Sequence, residues 1–384
     1  MATRAQTAMA ELLAAKEMVV VCGSGGTGKT TMAAALGARA AASVGGRVLV
    51  LTVDPARRLA TALGVGSLGN TEVRVPDESF GGAAPHGELW MAMLDTKAGW
   101  DELIRRHAPD ARLRDQVLAN PLYKNITSRF VHSHDYIAME RLQELHASGR
   151  YDLVIIDTPP SRNALDLLDA PSRMKEFFGS RLLKWLTVPY RSRLFTVASK
   201  PFYQVADRIL GSRFLQDIAE FFVLFQAMEP GFVARAREVE RLLVDQRTTF
   251  VVVTTLEAAP VHEAGFLAGE LRRRHMPLGA LILNRTLPAA IRQPAANKAA
   301  GQLGEVATRV SKRLAPMVGA TPAEVADVLT VVAERFHDTS VVAAREAERR
   351  RELAKVAPIV AEAPTMRDDI HDVAGLLALG GFLL

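Results

Sequence analysis

The stretch VVVCGSGGTGKTT, residues 19–31, decides the fold. Val19, Val20 and Val21 are β-branched, the side-chain type of a buried strand. A Gly-rich turn follows, and residues 32–42 are Ala-rich and read as a helix. Gly23, Ser24, Gly25, Gly26, Thr27, Gly28, Lys29 and Thr30 match the G-x-x-x-x-G-K-[ST] spacing of a phosphate-binding loop, with Thr31 opening the helix. The glycines let backbone approach a ligand, and the N–H groups of the loop and first helical turn converge on one anion. Lys29 is placed to reach the β- and γ-phosphates of a nucleotide and the Thr30 hydroxyl to ligate Mg²⁺.

Outward from this stretch, apolar runs alternate with helical patterns. Residues 47–53 (RVLVLTV) form a second buried strand that ends at Asp54, and residues 89–94 form a third. Residues 151–156 form a fourth, ending at Asp157; 250–255 and 281–284 are two more, and 356–360 is a seventh. Residues 1–17 read as a helix leading into the first strand, 100–148 as mostly helical with breaks at Pro109 and Pro121, and a helix closes the chain from about Asp368. Residues 64–87 are rich in Gly, Pro and Ser and read as a loop. The alternation predicts an α/β fold with a mostly parallel, doubly wound sheet. Ligands bind at the carboxyl ends of such strands. Gly23, Asp54, Asp157 and Asn284 all fall there.

More than ninety residues separate Asp157 from Phe250 without a convincing strand, far beyond an ordinary crossover. Nine of the 15 phenylalanines lie between Phe177 and Phe232. Phe214, Ile218, Phe221, Phe222 and Phe225 follow helical spacing. A helix apolar over most of its surface is buried or covers something, so this insertion reads as a small helical core or as an apolar groove for a partner helix. The chain divides into a nucleotide-binding core over 1–160, the apolar helical insertion over 161–247, and the rest of the core over 248–384 with a helical insertion at about 289–350.

The 384 residues carry a net charge of +5, spread in small knots, which reads as solvated helix faces and disfavours nucleic acid as a partner. No apolar stretch is long enough to span a bilayer, and no signal peptide is evident. With Cys22 the sole cysteine, no intrachain disulfide forms; a cytoplasmic location is expected.

Asp54 is followed by proline and stands where a carboxylate can orient or deprotonate a water near a γ-phosphate. Asp157, followed by Thr158-Pro159-Pro160, suits a Walker-B-like carboxylate acting on Mg²⁺ directly or through water. GSGGTGKTT, TVDPARRL and DTPPSRN resemble the deviant Walker A, switch I and switch II of the arsenite-pump-driving ATPases. That family includes the guided-entry carriers of tail-anchored membrane proteins. The resemblance covers nearly the whole chain, including LILNR at residues 281–285, and is strongest to actinobacterial members. It implies a SIMIBI-like P-loop NTPase hydrolysing ATP to ADP with Mg²⁺, with Asp54 positioning the water and touching the metal site. It also implies that Asn284, beside Arg285, reads the adenine, and that the protein works as a nucleotide-gated dimer.

Three departures stand out. Ser24 occupies the position of the family's first loop lysine, which crosses the dimer to the partner's phosphates. This predicts a heterodimer with a lysine-bearing paralogue, unless Arg57, which replaces the family's histidine after Asp54-Pro55-Ala56, supplies the charge in cis. The lone Cys22 implies no zinc, no thiolate arsenite site and no iron–sulfur cluster. The expected activity is therefore ATP-driven binding and release of apolar helices of client membrane proteins. The alternatives are an anion or metalloid efflux ATPase, a ParA/MinD-type positioning ATPase, and a metabolic P-loop kinase or ligase, for which the insertion offers no polar acceptor pocket.

Overall fold

The structure is a computed structural model that describes residues 3–53, 69–81, 85–108, 110–120, 123, 133–159, 168–170, 172, 173, 176 and 229–384. Asp54, Arg57 and the apolar clusters from Phe177 to Phe225 lie outside the described residues.

Eight strands form one sheet: β1 (Met18–Cys22), β2 (Gly46–Thr52), β3 (Val73–Arg74), β4 (Gly87–Met93), β5 (Leu153–Asp157), β6 (Thr248–Thr254), β7 (Leu278–Thr286) and β8 (Ile359–Pro364). Their order is β3-β4-β2-β5-β1-β6-β7-β8, and every pairing is parallel except β3 with β4. The helices are α1 (Arg4–Ala14), α2 (Lys29–Ser43), α3 (Thr96–His107), α4 (Ala111–Ala119), α5 (Ser133–Ala147), α6 (Glu229–Val244), α7 (Ala258–Arg273), α8 (Pro294–Val318), α9 (Pro322–Leu353) and α10 (Val373–Gly380). This is the doubly wound α/β fold of a P-loop NTPase. Among the described residues no single helix is long and apolar enough to cross a membrane.

Both faces of the sheet are covered, which is why its strands are apolar without interruption. Met18, Val20 and Cys22 of β1 point into a core shared with α3, α5, α6 and α7. Val19 and Val21 point into the opposite core, which α1, α2 and α10 close. All five β1 residues are buried, the pattern of a central strand covered on both faces.

Three sequence expectations need correction. The stretch 64–87 contains β3 and a 3₁₀ turn at Asp77–Phe80, because Val75 and Phe80 are buried against the sheet despite the polar residues around them. The last strand begins at Ile359, not at Val356, whose N–H is taken by Leu353 O in a turn. Its inward side chains are Ala361 and Ala363, too small to register as an apolar run. The terminal helix begins at Val373, not near Asp368, because Asp372 caps it by accepting from Gly375 N at 2.7 Å.

The helical insertion expected at about 289–350 is a hairpin of 25 and 32 residues, α8 and α9. Its punctuation is local. Pro294 and Pro322 start the helices, Gly319 in the left-handed region ends the first, and Thr321 forms a capping box with Glu324 at the second.

Candidate nucleotide site

β1 delivers the chain at the carboxyl edge of the sheet, and Gly23 turns it away. Gly23 has φ +151°, and a Cβ there would lie 2.1 Å from Val253 O of the neighbouring β6, so only glycine fits. Gly25 and Gly26 form the exposed crest of the loop. Gly28, at φ +87°, passes the chain into α2. Among the described residues no side chain caps α2, and no acidic residue stands in its first turn. The positive end of the helix dipole therefore opens onto the loop, over Lys29, Thr30 and Thr31.

The loop is folded on its own backbone. The carbonyl of Ser24 accepts from Thr27 Oγ1 at 2.9 Å and from Lys29 Nζ at 3.0 Å. Lys29 is buried, with its ammonium inside the ring of backbone that a phosphate chain would occupy. The Ser24 side chain is also buried, and its Oγ has no hydrogen-bond partner among the described residues.

Asp157 ends β5 one strand away. Thr30 Oγ1 donates to Asp157 Oδ2 at 2.5 Å, and Thr52 Oγ1, at the end of β2, donates to the same oxygen at 3.0 Å. Parallel register sets this meeting: Asp157 pairs with Val21 on one side and with Thr52 on the other. The carboxylate and hydroxyls form an oxygen-only donor set, which fits the hard Mg²⁺ ion. Sequence reading named Thr30 and Asp157 but missed Thr52; its signal was a hydroxyl two residues before Asp54 at a strand end. It also missed Thr158, whose N–H and Oγ1 both donate to Val21 O, at 3.1 and 2.9 Å, tying the start of the DTPP segment to β1.

Asn284 lies inside β7, which runs two residues past it, and not at the strand's end as its sequence context suggested. Its buried amide reaches across the sheet edge: Nδ2 donates to Thr27 O at 2.8 Å, and Oδ1 accepts from Arg285 N at 2.8 Å. Arg285 is exposed and left-handed, with φ 54°. A Cβ on Gly28 would stand 2.5 Å from Asn284 Nδ2, so the loop glycine and the asparagine are fitted to one another. The structure thus brings Ser24, Thr27, Lys29, Thr30, Asp157 and Asn284 to one edge; Asp54 and Arg57 lie outside the described residues.

Cys22 closes β1 directly before the loop. It is buried, its thiol faces Val251 O at 3.8 Å, and burial pushes its pKa up to about 12 despite the nearby Lys29. A second buried polar cluster lies on the same side of the sheet as Cys22, between α5 and α6. Arg235 Nε donates to both Glu140 oxygens at 2.9 Å, and the Tyr136 hydroxyl donates to Glu140 as well. Burial raises the Glu140 pKa and Arg235 opposes the rise, so the pair holds two helices together and is remote in sequence from every loop residue.

The profile of the family described as anion-transporting ATPase matches residues 16–312. ATPase BagA of Mycobacterium tuberculosis is 25% identical over 379 residues, covering 94% of this chain and 90% of that protein. The ATPase ASNA1 homolog of Entamoeba dispar is 24% identical over 288 residues, covering 70% of this chain and 76% of that protein.

Proposed function

This chain belongs to the anion-transporting ATPase family, and from that premise we propose that it couples ATP hydrolysis to binding and releasing apolar helices of client membrane proteins. That it is an ATPase follows from the family. The observation that carries the reading of its site is the convergence of Lys29, Thr30, Asp157 and Asn284 on the loop after β1.

In the proposed cycle the loop amides and the open end of α2 hold the phosphate chain, and Lys29 exchanges Ser24 O for phosphate oxygens. Thr30 and Asp157 would hold Mg²⁺, which when bound neutralises charge developing on the β- and γ-phosphates. Asp54 orients the attacking water and takes up its proton. Asn284 and Arg285 form the base-side wall, Asn284 releasing Thr27 O or reading the adenine through its remaining capacity. The client reading is supported by the phenylalanine-rich insertion, and the buried, protonated Cys22 counts against a metalloid pump working through thiolates.

Dimers are common in this family. A partner paralogue that carries the lysine absent at Ser24 would complete this site, and ATPase assays of the chain alone beside Ser24→Lys test that: a large gain from the lysine supports it, and full activity without it overturns it. The client reading is tested by capture of a single-span membrane protein on ATP-loaded protein. Replacing Phe221, Phe222 and Phe225 with polar residues should abolish capture and spare basal hydrolysis. Loss of folding, with no capture by the parent, would instead assign those residues to a self-contained core.

A further inference from the structure

The α8–α9 hairpin leaves the carboxyl edge of the sheet, the edge that carries the phosphate loop. Leu287 N, just past β7, donates to Glu346 Oε2 at 3.4 Å, and Arg349 Nη1 donates to Leu256 O, just past β6, at 2.5 Å. Residues 322–345 of α9 therefore project beyond that edge, by roughly 36 Å at 1.5 Å per residue.

The buried positions of the hairpin are mostly small residues, flanked by the half-buried Leu303, Val306, Val310, Leu314, Leu329 and Phe336. Ala307, Ser311 and Ala315 of α8 and Ala333 and Ala343 of α9 are buried, and Gly304 faces the Ala333 methyl. The outer face of α9 carries a different pattern. Val328, Val331, Arg335, Asp338, Val342 and Arg345 follow one another at alternating steps of three and four, the spacing of a coiled-coil seam, and all are exposed. Val328, Val331 and Val342 are 60%, 52% and 48% exposed, with Val332 beside them at 50%. Valine is a poor helix former, so a valine stripe on a solvent-facing helix costs stability unless something packs on it. Arg335, Asp338 and Arg345 make no ion pair among the described residues.

We propose that this face pairs with the same face of a second copy of the chain, antiparallel, about a two-fold axis between Phe336 and His337. The order of residues along the stripe carries the choice. Antiparallel pairing sets Val331 against Val342 of the other copy, Arg335 against its Asp338 and Val328 against the aliphatic stem of its Arg345, each contact made twice. Asp327, also exposed, then lies beside Arg345 of the other copy. Parallel pairing would set Arg335, Asp338 and Arg345 each against its own like charge. The pairing needs no nucleotide and is independent of the client proposal. Because the paired segments project from the loop edge, the contact turns the two loop edges toward each other. It is a contact of this chain with itself, distinct from any partnership that Ser24 demands.

Sedimentation velocity of the nucleotide-free full chain tests it. The parent should sediment as a concentration-dependent dimer. Val331→Glu with Val342→Glu should raise the dissociation constant roughly a hundredfold or more, by placing unpaired carboxylates in the seam. Arg335→Asp alone and Asp338→Arg alone should each dissociate, and an equimolar mixture of the two should dimerise again, since every contact in the mixed pair is then Asp against Arg. Unchanged melting temperatures verify that the variants fold. A monomeric parent overturns the proposal, as does a dimer insensitive to these changes or a mixture that stays monomeric. So does a parent that stays monomeric and pellets with phosphatidylserine vesicles through the exposed Met317 and Val318 at the hairpin tip.

Discussion

The loop after β1 and the α8–α9 hairpin leave the same edge of the sheet under opposite constraints. In the loop Gly23 is fitted to backbone and Gly28 to Asn284, the described side chains fold inward, and the helix end faces the loop. In the hairpin the most buried residues are mostly alanine, and a set of valines on α9 faces out. One region stores unsatisfied polar capacity, the other unsatisfied apolar area. The first suits a small charged ligand and the second a protein surface, and sequence motifs describe only the first.

That contrast gives a graded set of tests. Lys29→Ala should cause the largest loss, roughly 10³-fold in kcat/KM for MgATP, because it removes the one cation held inside the loop. Steady-state hydrolysis measures it, and a parental rate would break the phosphate reading. Asp54→Asn should lower kcat by roughly 10²-fold while ATP affinity stays within a few-fold, as for loss of a water-orienting base. Nucleotide titration beside single-turnover kinetics separates the two effects.

Gly28→Ala should be next. It forces a side chain into the left-handed region and onto Asn284, and should cost about 1–3 kcal/mol in thermal unfolding while weakening ATP binding. Pairing it with Asn284→Ala should recover part of the stability, since the clash goes with the amide. The smallest effect is expected at the hairpin. Thr321→Ala removes the capping box of α9 and should cost about 1 kcal/mol of local stability, read by hydrogen exchange in its first turn, with hydrolysis unchanged. A drop in hydrolysis there would join the two regions that the comparison separates.

Much of the fold was legible because the decisive signals are local. Five buried residues in a row at β1, a Gly-rich turn and an Ala-rich helix belong to one stretch, and Asp157 announces itself as the first charge after an apolar run. What escaped reading depends on distance along the chain. Asn284 meets Thr27 across 257 residues, and Thr52 meets Asp157 across 105, so only the sheet order brings them together. β3 was hidden because two residues carry no periodicity, and β8 because its core side chains are methyls. The outer stripe of α9 was hidden because a helix that is apolar on two sides, inward through Leu329, Ala333 and Phe336 and outward through its valines, reads as diffusely apolar.

The ends of the sheet have a consequence of their own. An open sheet edge presents unpaired backbone that can template the strands of another molecule into aggregates. Here one edge is β3, only two residues long and running against its neighbour, and the other is β8, which stops at Pro364. Glu362 of β8 is held by Arg292 and Arg350, which places charged side chains along that border. Neither border offers a long flat strand to copy. Among the described residues, templating from sheet to sheet therefore has little to start from, and the valine ridge of α9 makes a helix the apolar surface on which another molecule can pack.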